Sequence, residues 1–362
     1  MNRDEKLFIL KSFLVWRILL FIPIFLAPFF FKLQNNFLGG GMGKYLSNPY
    51  LWSWANFDGE HYLSIAKMGY GGGEQAFFPL YPLLVKILGE GIWGGLTISN
   101  LSFLLALFGM YKLAKLDYSE KISKLAIILL LLFPTSFYFT GVYTESLFLA
   151  LVVWSFYFFR KEKYLLSGIL GMFSSATRII GIVLVYLYVF IKKRINFILL
   201  VPLGLLSYMY YSYITWGDYL KFFNSASGFG EQRSDHLIML PQVFYRYFVK
   251  IIPNLTWSYF PVVFTTILEI TIAVLFLALI FISFKKLDIK YWIFLVLAYL
   301  IPTLSGSFSS LPRYVLVIFP AFFFLAQEVS KLPKLLKLGI YVILSIILLV
   351  AQMLFVNGYF LS

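Results

Sequence analysis

The chain alternates between long apolar stretches and short segments that carry charges, glycine or proline. As an α-helix, about 20 apolar residues cross the ~30 Å hydrocarbon core of a bilayer, because each residue adds about 1.5 Å. The pattern therefore predicts an all-α polytopic membrane protein, in which residues 1–362 form a single integral membrane domain of about 11 transmembrane helices. The expected helices are 12–31, 92–113, 122–139, 142–159, 164–177, 179–191, 195–214, 258–284, 291–304, 314–328 and 338–357.

Two of these stretches, 164–177 and 179–191, are each shorter than an ordinary membrane-spanning helix. They form either two tilted crossings or a re-entrant hairpin, which is tolerated only where it packs inside protein. The first stretch, 12–31, is too long for the core of a signal peptide, so we expect it to remain as an anchor. Arg17 lies within it and either reaches the membrane surface or faces the protein interior.

Composition agrees with a membrane protein and excludes several classes of site. Hydrophobic residues make up 61% of the chain and charged residues only 13%, whereas a soluble domain carries roughly 25% charged residues. The absence of cysteine excludes disulfides, thiolate metal sites and cysteine nucleophiles. With only His61 and His236 available, a zinc site is not expected. The net charge is +14. In a membrane protein, basic residues set the orientation of the chain in the bilayer, so we interpret the charge in this way and expect no nucleic-acid partner.

The basic residues predict how the chain is oriented. With a cytoplasmic N-terminus, every cytoplasmic connection carries a short basic cluster, as the positive-inside rule requires. The same arrangement favours two crossings over 164–191 and an external C-terminus. The long connections 32–91 and 215–257 are then both outside, together with most of the remaining polar chemistry. We therefore expect the working face to be external. Its chemically distinctive residues are Asp58, Glu60, His61, Glu145, Arg178, Asp218, Glu231, Arg233, Asp235, His236 and Arg313.

The first outer loop, 32–91, is predicted to contain a helix that lies in the membrane interface. Apolar and aromatic side chains recur there every three or four residues, which is typical of an interfacial helix. Gly69 and the glycines at 71–73 are expected to end this helix. The periodic positions are Trp54, Phe57, His61, Tyr62 and Ile65.

Asp58 in this loop has two possible roles. A carboxylate at the apolar boundary is partly desolvated, so its basicity rises and it can act as a general base. Alternatively, Asp58 caps the helix that begins at Gly59, a position that favours aspartate. His61 either contacts a substrate or is an ordinary interface histidine. Asp58 and Glu60 together offer only a weak basis for binding Mg²⁺ or Mn²⁺.

Three charged residues outside this loop are further candidates. Glu145 follows an apolar stretch and either caps a helix N-terminus or lines a site. Arg178 has no acid beside it in sequence, which indicates an anionic ligand or a distant partner. Arg313 either binds substrate or extends to the lipid headgroups. The charges at 218 and 231–236 suit a polar ligand, but also any solvated loop.

The glycine-rich segment 39–44 resembles a phosphate-binding loop only superficially. Leu38 stands where the first glycine of that motif is required, and Tyr45 stands where Ser or Thr is required. We therefore predict no nucleotide site there.

Several of these segments, taken in order, resemble PIG-V-like mannosyltransferases, which are the enzymes that add the second mannose of GPI anchors and their prokaryotic relatives. The most specific is the first outer loop, with Phe-Asp-Gly-Glu-His-Tyr-Leu at 57–63 and Ala-Phe-Phe-Pro-Leu-Tyr-Pro-Leu at 76–83. Shorter matches follow at 134–136, 143–148, 176–181 and 311–314, so the resemblance covers about residues 54–320. The chain departs from the family at Phe57, where Trp is common, and at Ile179 and Ile180, where Ser-Asn is usual.

The resemblance implies a GT-C-type fold and an inverting glycosyltransferase. Its donor would be a polyprenyl-phosphate-linked sugar, most simply mannose, and its acceptor a glycolipid or glycan at the outer membrane face. Asp58 would be the general base, and Arg178 and Arg313 would stabilise the leaving lipid phosphate. Glu60, His61 and Glu145 would contact the substrates.

A multi-span transporter or lipid flippase is the main alternative. It would place charged or broken helices near the middle of the membrane and show pseudo-symmetric halves, whereas the polar residues here concentrate on one face without a visible repeat. A non-catalytic scaffold gives no reason for Arg178 or Glu145. In a prokaryote, the expected location is the plasma membrane.

Overall fold

The computed structural model describes residues 1–191, 197, 199–225 and 237–361. Within these ranges the chain is helical and contains no β-strand, so the predicted all-α class is confirmed for the described residues. The α-helices are α1 (Arg3–Leu19), α2 (Phe21–Phe30), α3 (Gly41–Ser47), α4 (Pro49–Trp52), α5 (Asp58–Met68), α6 (Leu80–Ile87), α7 (Ile92–Ala114), α8 (Glu120–Leu131), α9 (Glu145–Arg160), α10 (Tyr164–Thr177), α11 (Leu200–Trp216), α12 (Lys221–Asn224), α13 (Leu240–Tyr245), α14 (Phe260–Ser283), α15 (Ile289–Thr303), α16 (Leu311–Tyr314), α17 (Phe319–Lys331) and α18 (Lys334–Val356).

Tighter and wider helical turns join these elements. A π-helical turn, Arg246–Ile251, follows α13. The 3₁₀ segments are Ser53–Ala55, Glu74–Ala76, Ser136–Thr140, Ile179–Phe190, Ile252–Asn254 and Val315–Val317.

Among the described residues, four helices are long and apolar enough to cross a membrane. They are α1 with α2 taken together (Arg3–Phe30), α7, α14 and α18. Up to five spans result if Leu311–Val317 and Phe319–Lys331 count as one, although these two are bent by 83°. The helices of 10 to 17 residues at Tyr164–Thr177, Ile179–Phe190 and Ile289–Thr303 are apolar but shorter. The membrane class is thus supported, while the count of about 11 crossings stays a prediction.

Two predicted spans are interrupted in the structure. The expected helix 122–139 ends as α8 at Leu131, and Ser136–Thr140 continues as 3₁₀. Pro134 between them has no N–H to continue the helical hydrogen bonds. The expected helix 314–328 is broken at Ile318, and Pro320 lies in the first turn of α17, where its missing N–H costs nothing. Apolar character alone did not indicate either break.

The helix predicted in loop 32–91 is present but shorter than its periodicity predicted. It begins at Asp58, and Trp54 lies before it in a 3₁₀ turn. Its end is as predicted, because Gly69 terminates α5 with φ +82°, a conformation that glycine adopts without strain. Trp54 and Phe57 therefore match the helical spacing although they lie before α5 and are not part of it.

The core joins distant parts of the chain. Helix α9 packs against both α7 and α10, and α10 also packs against α11. Helix α18 lies along α2, where the Gln352 side-chain amide donates to the Leu20 carbonyl oxygen over 2.8 Å. For Arg17, the sequence left open whether it reaches the membrane surface or faces the protein. In the structure it faces the protein, because its Nε donates to Asn100 Oδ1 over 3.2 Å. Its guanidinium carbon lies 4.1 Å from the ring of Trp54, so the first helix contacts the first outer loop.

Candidate active site

Asp58 pairs with Arg313. Arg313 Nη1 donates to Asp58 Oδ2 over 2.6 Å. Asp58 is the first residue of α5, and its side chain makes no capping hydrogen bond; the cap position is occupied by Phe57. The helix-capping interpretation of Asp58 is therefore wrong, because a charged partner from a distant segment outcompetes the local backbone amides for its carboxylate.

Arg313 is itself buried between two acids. It belongs to the short helix α16 and is 8% exposed. Its Nε lies 3.4 Å from Oε1 of Glu145. The expectation that Arg313 extends to lipid headgroups is wrong, because both of its acidic neighbours lie inside the protein.

Glu145 links Arg313 to Arg178. Arg178 Nη1 donates to Glu145 Oε1 over 2.7 Å. Arg178 therefore has the distant partner that its sequence context left open. Glu145 is the first residue of α9 and makes these contacts from the N-terminal turn, where the helix dipole also stabilises a negative charge. Capping and site lining, which the sequence left as alternatives, are compatible at this position.

These four residues form one chain of alternating charge: Asp58, Arg313, Glu145, Arg178. Removing charges from water is costly, and such groups persist only when they are paired. The side chains of Glu145 and Arg313, in the middle, are 2% and 10% exposed, whereas those of Asp58 and Arg178, at the ends, are 25% and 15% exposed. We name this set the charge chain. Its ends present a carboxylate and a guanidinium to a ligand, while its middle is closed.

Aromatic rings surround the two arginines. The guanidinium carbon of Arg313 lies 5.4 Å from the ring centres of both Tyr138 and Tyr143. Tyr314 lies between the cations, 5.3 Å from Arg313 and 4.8 Å from Arg178. Ring faces attract cations when water is largely excluded. The tyrosines therefore hold the arginines in place without supplying further negative charge.

Glu60 is directed elsewhere. Its Oε1 accepts a hydrogen bond from the backbone N–H of Gly40, so it binds the glycine-rich segment that resembled a phosphate loop. Gly40 and Gly41 have φ of +72° and +76°, which directs their amides toward this carboxylate. Desolvation by burial raises the pKa of Glu60, against the opposing effect of the hydrogen bonds from both glycines. Glu60 anchors the loop, and the structure does not join it to the charge chain.

A shared cation site for Asp58 and Glu60 is not supported. The two carboxylates hold different partners, Arg313 and Gly40. Across the described ranges, no group of three or more His, Asp or Glu side chains could hold a metal ion. A Mg²⁺ or Mn²⁺ ion at these positions therefore has no donor set on the described part of the chain.

His61 contacts an acid that sequence reasoning missed. His61 Nδ1 lies 3.1 Å from Glu74 Oε1, and its ring stacks on Phe77 at 5.0 Å. Glu74 also accepts from the Gly71 N–H over 2.9 Å. These contacts fold the glycine-rich segment after α5 back onto that helix. His61 thus has a structural role in addition to its predicted contact with substrate.

The second outer loop is only partly described. Asp218 accepts from the Leu220 N–H and from Asn224, both over 2.8 Å, which is local stabilisation of a turn. The predicted candidates Glu231, Arg233, Asp235 and His236 lie outside the described residues.

Glu269 is the second acid that sequence reasoning missed. It is buried in the otherwise uncharged helix α14. Tyr247 donates to its Oε2 over 2.8 Å, and the Tyr247 hydroxyl oxygen accepts from the Phe308 N–H over 3.1 Å. These hydrogen bonds tie the connection 215–257 to the segment that leads to Arg313. A lone acid inside an apolar helix was a signal that could have identified it.

A mostly apolar cavity of about 410 Å³ is lined by residues of α5, α6, α10 and α11. Its wall reaches Ala176, two residues before Arg178, and Ile65, two turns after Asp58 on α5. Other lining residues are Tyr70, Leu83, Phe173, Tyr208 and Tyr211. Its mostly apolar lining suits a hydrocarbon chain.

Compared with protein-family models and with curated proteins, the sequence gives no match. A functional assignment therefore depends on the residues of this site and on the resemblance of its motifs.

Proposed function

We propose that this protein is an integral-membrane, inverting glycosyltransferase of the GT-C type. It transfers a sugar, mannose in the PIG-V-like case, from a polyprenyl-phosphate donor to a hydroxyl group of a glycolipid or glycan acceptor. The charge chain is the observation that carries the proposal. It offers a carboxylate at one open end and a guanidinium at the other, which are the two groups that such a transfer needs.

In the proposed reaction, Asp58 accepts the proton of the acceptor hydroxyl. Among the described residues, no hydrogen-bond donor occupies its second oxygen, Oδ1, while Arg313 holds Oδ2. A carboxylate held in this way is oriented to act as a general base. The acceptor oxygen forms a bond to the anomeric carbon, and the bond from that carbon to the phosphate oxygen breaks. The electron pair leaves with the lipid phosphate, and the configuration inverts.

Arg178 is the proposed contact for the departing phosphate. Its Nη1 is used by Glu145, but a guanidinium has five N–H donors in a planar fork that suits phosphate oxygens. Its side chain is 15% exposed, more than that of Arg313. Donors placed where negative charge develops stabilise the transition state, because they need no rearrangement during the reaction.

The cavity of about 410 Å³ is the proposed position for the donor's prenyl chain. Its lining is mostly apolar, and burying each CH₂ group there contributes about 0.8 kcal/mol. The lining residue Ala176 brings that chain near Arg178. The chain would therefore present its phosphate at the guanidinium end of the charge chain.

The proposed topology places this site at the outer membrane face. It has a cytoplasmic N-terminus, about 11 crossings and both long loops, 32–91 and 215–257, outside. The basic clusters of the short connections support it. Polyprenyl-linked sugars presented in the outer leaflet would then reach Asp58.

A multi-span transporter or lipid flippase is the second proposal, and one observation favours it. The helix pair around Ile318 is bent by 83°, and Arg313 belongs to its first helix, Leu311–Val317. Transporters commonly place substrate at such interrupted helices. Both proposals place Arg313 at the site. They differ in that only the glycosyltransferase transfers a sugar from the donor to an acceptor.

The experiment incubates purified protein with radiolabelled polyprenyl-phosphate sugars and a membrane extract, and identifies the labelled product. The wild-type protein is expected to move the label to an acceptor, and the Asp58→Asn variant is not. Asp218→Asn, which makes the same charge change on the outer side, is expected to behave as wild type. If no labelled product forms from any of the donors, and labelled lipid moves across vesicle membranes, the transporter would instead be supported.

A further inference from the structure

Asn56 is a fully buried residue two positions before Asp58. Its Oδ1 accepts from the Gly39 N–H over 2.8 Å. Its Nδ2 donates to the carbonyl oxygens of Phe355 and Val356 over 2.9 and 3.2 Å. Asn56 therefore uses its one side-chain acceptor and both side-chain hydrogens, which among similarly sized side chains only a carboxamide provides.

The two carbonyl groups that Asn56 binds belong to the last turn of α18. The last four carbonyl groups of a helix have no intrahelical partner, so they need donors from elsewhere. Asn56 supplies two of these donors from the other end of the chain. The segment before Asp58 is thereby fixed on the end of a long, apolar helix.

The backbone between Asn56 and Asp58 is unusual. Phe57 has φ +55°, a conformation that a bulky residue keeps only when its surroundings determine it. Its N–H donates to the Phe37 carbonyl oxygen over 2.8 Å, and its ring packs 5.7 Å from that of Phe355. This strained residue sets the direction in which the chain enters α5 and presents Asp58.

The backbone carbonyl of Asn56 binds Tyr143, one of the tyrosines that surround Arg313. It accepts from the Tyr143 hydroxyl over 2.7 Å. The Tyr143 ring lies 5.4 Å from the guanidinium carbon of Arg313, and Tyr143 is two residues before Glu145. One hydrogen bond therefore connects the peptide that leads to Asp58 with the segment that leads to Glu145.

We propose that Asn56 is the positioning residue for Asp58. By fixing the intervening peptide on α18 and Tyr143, it keeps Asp58 in its ion pair with Arg313 and orients the carboxylate for proton transfer. This inference rests on the proposed function of Asp58 as the general base. Asn56 does not touch the substrates, so its loss should slow the reaction without removing the donor site.

Asn357 provides a matched control at the same helix end. It is also buried, and its Nδ2 donates to the Phe31 carbonyl oxygen over 2.6 Å. It has no contact with Phe57 or Asp58 among the hydrogen bonds of the described chain. Replacing either asparagine by leucine removes a buried amide of similar size, so both variants should lose thermal stability.

The experiment measures the transfer rate per donor-binding site in Asn56→Leu, Asn357→Leu and Tyr143→Phe. The number of sites is counted by titration with radiolabelled polyprenyl phosphate, so that unfolded protein does not lower the rate. A displacement of about 1 Å costs on the order of 100-fold in rate. We expect Asn56→Leu to lose about 10- to 100-fold per site with donor affinity unchanged, and Tyr143→Phe to lose about 10-fold. Asn357→Leu should keep the wild-type rate per site.

Three results would overturn the inference. The first is an unchanged transfer rate per site in Asn56→Leu. The second is an equal loss of that rate in Asn357→Leu, which would show that both amides only stabilise the fold. If Asn56→Leu does not fold, an unchanged rate in Tyr143→Phe is the third. A wild-type protein that transfers no sugar is a different outcome, because it overturns the proposed function itself.

Discussion

Arg313 Nη1 lies 2.6 Å from Asp58 Oδ2, although 255 residues separate the two in the chain. Each residue had an ordinary local interpretation, as a helix cap or as a membrane-surface cation. Their contact removes both interpretations and leaves an oriented carboxylate beside a buried cation. The contact is extended through Glu145 to Arg178, so the site is continuous from the start of α5 to the residue that follows α10.

Asp58→Asn should lower transfer by at least about 100-fold, because a positioned general base contributes about 10²- to 10⁴-fold. Asparagine keeps the size and one oxygen for Arg313 but cannot accept the proton of a hydroxyl group. The measurement is a single-turnover transfer assay on purified protein. Lys67→Ala, on the same helix, should have little effect, and full activity of Asp58→Asn would exclude it as the base.

Glu145→Gln should destabilise the protein strongly. It removes the charge that pairs with both Arg178 and Arg313 in a buried setting, and breaking such a pair costs about 3–5 kcal/mol. Glu328→Gln is the matched control, since Glu328 pairs with Lys331 at the surface over 2.9 Å, and such pairs contribute about 0–1 kcal/mol. Reversible unfolding in mixed micelles measures both. Equal losses of unfolding free energy in the two variants would show that the ion pairs of Glu145 stabilise the protein no more than a surface pair does.

Sequence reasoning identified the members of the charge chain but not their pairing. Asp58, Glu145, Arg178 and Arg313 were conspicuous because charges among apolar stretches are costly. Spacing along a helix reports only neighbours three or four residues apart, whereas these contacts span 33 residues or more. The same limit explains the error at Asp58, where a local capping rule lost to a tertiary ion pair.

The fold was predictable in class and less so in detail. High apolar content predicted helices, and Gly69 correctly marked the end of α5. The interruptions at Pro134 and Ile318 occur at or near prolines, which a count of apolar residues does not distinguish from helix formers. Asn56 carries no local signal, because its role depends on carbonyl groups about 300 residues away. Glu269, by contrast, stood alone in an apolar stretch and was overlooked.

Arg178→Ala should raise the donor KM and also lower kcat, because the guanidinium contacts the donor's phosphate and stabilises the negative charge that develops on it in the transition state. Hydrogen bonds to charged groups contribute about 1.5–3 kcal/mol, which corresponds to about 10- to 150-fold in binding. Steady-state kinetics with varied polyprenyl-phosphate sugar measures the effect, with Lys67→Ala as the control for loss of one positive charge near the site. An unchanged donor KM would remove Arg178 from the phosphate contact.

Arg313→Lys should be poorly tolerated, although the charge is kept. Arg313 contacts Asp58 and Glu145 from different nitrogens of one planar group, which a single ammonium cannot reproduce. We expect losses of both stability and transfer rate. Arg3→Lys, near the N-terminus, is the control for the same exchange. Retention of full rate in Arg313→Lys would show that only the charge matters there.

Glu269 and Tyr247 should prove energetically coupled. Glu269→Gln keeps an oxygen for the Tyr247 hydroxyl, whereas Glu269→Leu leaves that buried hydroxyl only Ser307 Oγ, at 3.3 Å, as an acceptor, at a cost of about 1–3 kcal/mol. A double-mutant cycle of Glu269→Leu with Tyr247→Phe measures the coupling directly. Independent, additive effects of the two substitutions would mean that the 2.8 Å contact does not stabilise the fold.

The proposed orientation is open to a direct test because the chain has no cysteine, so every introduced thiol is the single labelling site. In intact cells, a membrane-impermeant maleimide should label Lys67→Cys in the first outer loop. It should label Arg3→Cys and Lys161→Cys only after the membrane is permeabilised, and the unsubstituted chain is the blank. A cysteine appended after residue 362 should be labelled in intact cells, because an odd number of crossings places the two ends on opposite sides. Labelling of Lys67→Cys only after permeabilisation would put Asp58 on the cytoplasmic side, away from donors carried by the outer leaflet.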